Sequence, residues 1–378
     1  MPSNMIDDKI AQPLLHLVCW GLHPQSLPTS LPDSIGNGNG FWPAVYTCAG
    51  VQGVLAITWD GLRRVTESGL LPSDRQPDRE LLLRWAYNVE QIEKRNFRQK
   101  RVLADLAGFY AAHGIDLMLL KGYGMSLNYP IPNHRPCGDL DIWLYGRQKE
   151  ADALLHKERD IAIDKDKHHH TVFRLDGVMV ENHYDFLNVH SHRSNKEIDR
   201  LLKCLAKSGT DTTIRIGNVP IRIPHADFNA LFLLRHAAVH FAAIEIRLRH
   251  VTDWAMFVER YHDQIDWIAL ERVAESQNMT KFLYCLNALS IDFLGLDPVK
   301  IPPFERDGSL EKRVLNDILG PEFSVRAPKG GGLVRSLYFK TRRWWANRWK
   351  HRIVYRESLP QTFIRQFWSH LRKPRSLK

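Results

Sequence analysis

Gly138-Asp139-Leu140-Asp141-Ile142-Trp143-Leu144 is the stretch on which the reading turns. Side chains alternate along a strand, so Asp139 and Asp141 share one face while Leu140, Ile142 and Leu144 share the other. The apolar face asks for a core. The acidic face holds two like charges side by side, which costs stability unless a cation holds them. The spacing points to a divalent cation with oxygen ligands, of the Mg²⁺ kind. A surface strand with two chance acids is the alternative.

Upstream, Ile115-Asp116-Leu117-Met118-Leu119-Leu120 is a short apolar run and reads as a buried strand. It ends in Lys121-Gly122-Tyr123-Gly124. Glycines at a strand end let backbone approach a phosphate, and a following helix offers free N–H groups. Met125 to Tyr129, which includes Ser126, supplies a short helix; Pro130 and Pro132 then force a loop that leads to Arg135. Downstream, Gln148 to Lys157 fits a helix. Thr171 to Leu175 and Val178 to Tyr184 flank Asp176-Gly177, a hairpin signal. Glu181 and His183 share one face of the second hairpin strand, as does Asp185 if the strand runs that far. A third carboxylate beside an aspartate pair completes a two-metal site for phosphoryl or nucleotidyl transfer.

The ordered set resembles the polymerase-β-like nucleotidyltransferase superfamily. More narrowly, it is similar to an uncharacterised bacterial nucleotidyltransferase family with Leu-Lys-Gly, Tyr-Pro, Arg, Asp-Ile-Asp and a later acid-x-His. Here the pattern reads Leu120-Lys121-Gly122, Tyr129-Pro130, Arg135, Asp139-Leu140-Asp141 and Glu181-Asn182-His183, within a likeness spanning residues 40 to 280. The resemblance implies an α+β fold, a small mixed-sheet core flanked by helical regions. It implies an enzyme that moves a nucleoside monophosphate from a nucleoside triphosphate to an unknown hydroxyl acceptor with Mg²⁺ or Mn²⁺, releasing pyrophosphate. Asp139, Asp141 and Glu181 then hold the metal, and Lys121, Gly122 and Arg135 contact the triphosphate. The superfamily usually has a small residue, Ser or Gly, after the first glycine. This chain has Tyr123, with Gly124 and Ser126 as substitutes. His183 tunes Glu181 or accepts a proton. A non-catalytic relative that binds nucleotide or a partner at a membrane is the alternative, against which the retained acid trio argues.

Other histidines carry open readings. Of His168, His169 and His170, at most two share a strand face; His168 or His170 approaches nucleotide or acceptor, or the run is a solvent-facing loop. His236 and His240 stand four apart on one helix face, without the Glu-x-x-His context of a zinc site. Arg249 and Asp253 are also four apart, forming either a helix ion pair or, with His240, part of a module that closes over the base or acceptor.

The 378 residues, 44% hydrophobic and 25% charged, suit a globular chain with a large core. Five cysteines without Cys-x-x-Cys spacing fit reduced thiols in a cytoplasm. Met1 to Lys9 has no basic start leading to an apolar run, and no segment approaches the ~20 apolar residues of a membrane span. The net charge of +10 is a tail property: Lys329 to Lys378 carries +13, leaving −3 for the rest. Expected divisions are a helical region over 1–113, the α/β core over 114–195, a hairpin plus helices over 196–325, and a basic Trp-rich tail over 326–378. Gly330-Gly331-Gly332 reads as a hinge. In residues 338–356, arginines interleave with Trp344, Trp345 and Trp349. That pattern suits an anionic membrane surface, nucleic acid, or packing back onto the acidic remainder. The localisation expected is cytoplasmic, with the inner membrane face as a peripheral site.

Overall fold

The computed structural model describes residues 7–36, 38, 40–208, 212–323 and 333–362. The chain opens with α1 (Asp8–Leu22), α2 (Phe41–Gln52) and α3 (Leu55–Glu67). α1 and α3 meet backbone to backbone. A Cβ on Gly21 would stand 2.1 Å from the Ile57 carbonyl oxygen, and one on Gly61 1.9 Å from that of Leu17. No side chain fits this crossing. Gly61→Ala is expected to destabilise by about 1–3 kcal/mol, the cost of overpacking, read as a lower midpoint of denaturant unfolding. Gly50→Ala in α2, where a Cβ meets open space, is the control and should be neutral or slightly stabilising.

α4 (Arg79–Ala112) is one long helix. Asp78 caps it by accepting the Leu81 N–H at 2.8 Å, and its inner stripe runs through Leu81, Trp85, Val89, Val102, Leu106 and Tyr110. His134, in the loop before the Asp strand, joins this helical layer to the sheet. Its Nδ1 lies 2.7 Å from Asp60 of α3 and its Nε2 3.0 Å from Glu93 of α4. Burial opposes charge on the ring, but bonds to both carboxylates raise its pKa.

The sheet elements follow: β1 (Met118–Leu119), α5 (Tyr123–Ser126), β2 (Leu140–Trp143), α6 (Gln148–Arg159), β3 (His170–Leu175), β4 (Val178–His183), α7 (Arg193–Leu205), β5 (Thr212–Ile216) and β6 (Val219–Ile223). The spatial order is β3-β4-β2-β1-β6-β5. β2 and β4 run parallel, as do β1 and β6, while the remaining neighbours are antiparallel. Asp176 and Gly177, both at positive φ, turn the β3–β4 hairpin as the sequence predicts. The second hairpin, β5–β6, joins the same sheet through β6 beside β1, so the sheet extends across residue 195. The pairing of Met118 with Arg222 spans a long sequence separation that local patterning does not reveal.

The sheet has two different faces. Leu119, Leu140, Ile142, Leu144, Val178, Val180 and Ile221 pack with α4 and α6. Met118, Leu120 and Trp143 point the other way, into a larger core built with the helical layer. That layer comprises α1–α3 together with α8 (Ala226–Ala243), α9 (Leu248–Tyr261), α10 (Trp267–Ser276), α11 (Thr280–Leu294) and α12 (Gly308–Leu319). The fold is α+β.

Two tail helices, α13 (Leu333–Ala346) and α14 (Arg348–His351), come last. α14 is integrated into the body. Lys350 is wholly buried in an ion pair with Asp317 of α12, Val354 and Tyr355 are buried, and Asn278 donates to the carbonyls of Arg352 and Tyr355. Trp345 and Tyr338 are exposed on the outer side of α13. The Gly330-Gly331-Gly332 hinge expectation lies outside the described residues. Among those described, no helix is long and apolar enough to cross a membrane.

Candidate active site

Asp141 and Glu181 are direct partners across the parallel β2–β4 ladder, so their side chains emerge next to each other on the face opposite α4. His183 follows two residues after Glu181, at the end of β4, on the same face. One ligand atom each from Asp141, Glu181 and His183 lies within 4.8 Å of the others. Asp139 stands just before β2, half exposed, outside this tight trio but within its electrostatic reach. The strand therefore ends its regular pairing between the two aspartates. Asp185 leaves the face altogether and pairs with Lys203 of α7.

Contacts within the trio are specific. His183 Nδ1 donates to the Asp185 carbonyl at 3.1 Å, which turns Nε2 toward the acids. Nε2 lies 3.0 Å from Asp141 Oδ1 and 3.6 Å from Glu181 Oε2. Lys121 Nζ lies 3.2 Å from the same Asp141 Oδ1. Asp141 Oδ2 is buried with no hydrogen-bond partner. A buried carboxylate oxygen left unpaired is costly, and a cation is the natural remedy. The donor set, two carboxylates and an imidazole whose ring is held by the Asp185 carbonyl, fits a divalent metal, with Mn²⁺ as well suited as Mg²⁺.

The charges follow from this arrangement. Burial alone would raise the Asp141 carboxyl, but the Lys121 charge and the His183 hydrogen bond hold it well below the usual carboxylate range. Burial opposes charge on His183 as well, yet its bonds to Asp141 and Glu181 push it up to about 9, so a metal taken by Nε2 would have to displace the proton held there. Burial and the nearby Asp141 charge raise the Asp139 carboxyl.

Gly122 makes the turn over the acids. It sits at φ 49°, and a Cβ there would meet the Asp139 carbonyl oxygen at 3.2 Å. Tyr123 next to it turns away, its ring buried in the core shared by α4 and the sheet, so its bulk does not fill the turn. Ser126 is buried and spends its hydroxyl on the Tyr123 carbonyl at 2.7 Å. Gly124 packs on Leu119.

Arg135 is engaged elsewhere. Its guanidinium makes a buried two-point contact with Asp253 of α9, Nε–Oδ1 2.9 Å and Nη2–Oδ2 2.6 Å. Tyr129 adds its hydroxyl to the same carboxylate at 2.7 Å. Asp253 thus pairs with Arg135 rather than with Arg249, and the three residues bolt the loop before β2 to the helical layer. Arg249 donates to the Pro136 carbonyl at 3.2 Å, which adds a second bolt.

The helical layer brings a histidine cluster opposite the acids. The rings of His236 and His240 lie 4.5 Å apart, and His250 stands 6.2 Å and 6.0 Å from them. Burial, then the Lys121 charge, holds His236 well below its ordinary value, so the cluster is neutral beside the charged site. His240 keeps an exposed side while protein atoms crowd the other. From the hairpin, His170 Nε2 lies 3.6 Å from Glu181 Oε1. His169 lies in the bend before β3, so its ring escapes strand alternation and reaches within 5.6 Å of the His183 ring. His169, His170 and His183 form a second potential ligand trio. Strand alternation favoured His168 and His170; the only sequence signal for His169 was the run itself. The sequence shows His250 beside Arg249 but gives no sign that it packs on His236 and His240.

The model of a family described as "Uncharacterised nucleotidyltransferase" matches residues 39–295, more than half of the chain. The chain belongs to this nucleotidyltransferase family. The matched segment contains the acids, the Gly122 turn, the Arg135–Asp253 pair and the histidine cluster, and stops short of α12 and the tail. No curated protein matches the chain. A similar solved structure is that of an antigenic nucleotidyltransferase-like protein from Paracoccidioides brasiliensis, at 15% identity and a TM-score of 0.34. The likeness covers 52% of this chain and 92% of that one.

Proposed function

We propose that this nucleotidyltransferase moves a nucleoside monophosphate from a nucleoside triphosphate to a hydroxyl acceptor, with a divalent cation held by Asp141, Glu181 and His183 and with Asp139 at the edge of the site. The observation that carries the reading is the side-by-side emergence of Asp141 and Glu181 at the Gly122 turn, with Asp141 Oδ2 buried and unpaired. The metal supplies charge neutralisation at the phosphates and lowers the pKa of the attacking hydroxyl. Lys121, at the acid cluster, contacts a phosphate oxygen, and the Gly122 turn lets backbone approach the triphosphate. Glu181 aligns the acceptor hydroxyl. The bond from acceptor oxygen to α-phosphorus forms as the α–β bridge breaks, the hydroxyl proton passes to a carboxylate of the site, and pyrophosphate leaves. Most of the catalytic gain is positioning and electrostatics.

A thermal-unfolding panel of the four common nucleoside triphosphates, with Mg²⁺, Mn²⁺ or chelator, tests this. Stabilisation by at least one triphosphate only when metal is present is the expected result. Equal responses with metal and with chelator would sink the reading.

The outer face of α13 supports membrane docking as a separate role. Tyr338 and Trp345 are exposed there, with Arg342 over the Tyr338 ring and Arg348 over Trp345. Indoles with interleaved cations suit an anionic headgroup layer. The full chain should co-sediment with phosphatidylserine vesicles and not with neutral ones, and Trp345→Ala should weaken this. Sedimentation indifferent to lipid charge and to Trp345→Ala would exclude the role.

A further inference from the structure

The inner side of α13 does something different. A cavity of about 360 Å³ opens where α13 and α14 meet the end of α8 and the loop after β4. Its volume is that of a small-molecule site. His168, His192, Lys340, Arg343, Trp344 and Asn347 are on its wall, and no carboxylate lines it.

The cations there lack counter-charges. Among the described residues neither Lys340 nor Arg343 makes an ion pair; Arg343 rests instead over the Phe339 ring. Asp211 is the one acid in the sequence outside the described residues, so the chain has few carboxylates left to offer. Burial also lowers the Arg343 pKa from its ordinary value, as for a guanidinium desolvated without a partner. Asn347 is only 3% exposed; its amide nitrogen donates to the Ile244 carbonyl, while its Oδ1 is buried and has no partner. The wall therefore offers two unpaired cations, one unpaired acceptor and an indole. An anion satisfies the first, a hydroxyl donor the second, and the face of a sugar ring or carbon chain the third.

The cavity is linked to the acid cluster through the histidine run. His168 on its wall is followed directly by His169 and His170, whose rings lie 5.6 Å and 5.1 Å from that of His183. We propose that this cavity binds the phosphate-bearing end of the acceptor, a phosphorylated polyhydroxy small molecule, with Lys340 and Arg343 on the phosphate and Asn347 accepting from a hydroxyl. The assignment deepens the nucleotidyl-transfer reading and rests on it for the word acceptor. The folded tail is then part of the substrate site, supplied from outside the family-matched segment.

Binding is tested without nucleotide or metal, by calorimetry on the full chain with inorganic phosphate, glucose 6-phosphate, glucose and glucuronate as probes. Glucose 6-phosphate should bind, phosphate more weakly, and glucose and glucuronate not measurably. Lys340→Gln and Arg343→Gln should each weaken glucose 6-phosphate by about tenfold or more, the loss of one charge-assisted bond, with unfolding midpoints checked for both. Asp141→Asn should leave this binding unchanged. Binding equal in wild type and both variants, binding lost in Asp141→Asn, glucuronate matching the phosphate ester, or no phosphate ester binding at all would each overturn the site. The triphosphate panel is scored separately, so failure of the cavity and failure of the nucleotidyl-transfer reading leave different records.

Discussion

Asp141→Asn is expected to abolish nucleotidyl transfer, lowering turnover by about 10³-fold, which corresponds to the loss of several kcal/mol of charge stabilisation in the transition state. The substitution keeps the shape of the side chain and removes only its charge. Asp141 is the one carboxylate of the cluster that is wholly enclosed, and it is addressed at once by Lys121 and His183. Asparagine would leave the buried Oδ2 position without the charge that calls for a cation. The measurement is release of labelled pyrophosphate from β,γ-labelled triphosphates in the presence of cell extract as acceptor source. Metal-dependent triphosphate stabilisation in the thermal panel should vanish in the same variant. The variant's unfolding midpoint without metal separates this from simple loss of fold. Turnover within about tenfold of wild type would remove Asp141 from the chemistry, since tenfold is worth only ~1.4 kcal/mol.

Some of this was legible in the sequence because it is local. The 3.6-residue stripe announces α4, Asp176-Gly177 announces the hairpin, and strand alternation places Asp141 apart from Leu140 and Ile142, although Asp139 falls outside the strand. What was hidden depends on distant partners. Arg135 reads as a free cation ahead of two acids. Only the folded chain shows Asp253, far along the sequence, holding it in two places. Arg249 and Asp253 read as a helix ion pair for the same reason, since a four-residue spacing is visible and a competing arginine is not. The sheet's last two strands were assigned to the region after residue 195 because the β1–β6 contact is non-local. Strand alternation passes over His169 because it applies only within strands, and the strand begins one residue later.

The tail is the case where composition leaves the reading most open, and it carries the largest expected effect on stability. A run of arginines, lysines and tryptophans with a net +13 reads equally as an appendage for a charged surface and as a segment packed back onto the acidic remainder. Yet Lys350 has no exposed side chain and pairs with Asp317, itself buried. Its ammonium also donates to the Ile244 carbonyl at 3.2 Å and lies 5.0 Å from the centre of the Phe241 ring. Removing one member of a buried pair strands the other charge without water, at a cost of about 3–5 kcal/mol. Lys350→Ala and Asp317→Ala should each show this loss in denaturant unfolding. The double variant Lys350→Met/Asp317→Leu, which removes both charges and keeps volume, should recover most of it. An appendage predicts otherwise: Lys350→Ala would behave like a surface substitution, within ±0.5 kcal/mol. Shortening the chain before α13 should be worse than the point change. It would strand Asp317, strip the Val354 carbonyl from the fully buried Arg235, and uncover Phe241 where Trp349 now packs at 5.5 Å. A soluble, cooperatively unfolding truncated chain with unaltered stability would show that the tail merely rests on the body; an aggregating one would show that α14 completes the core.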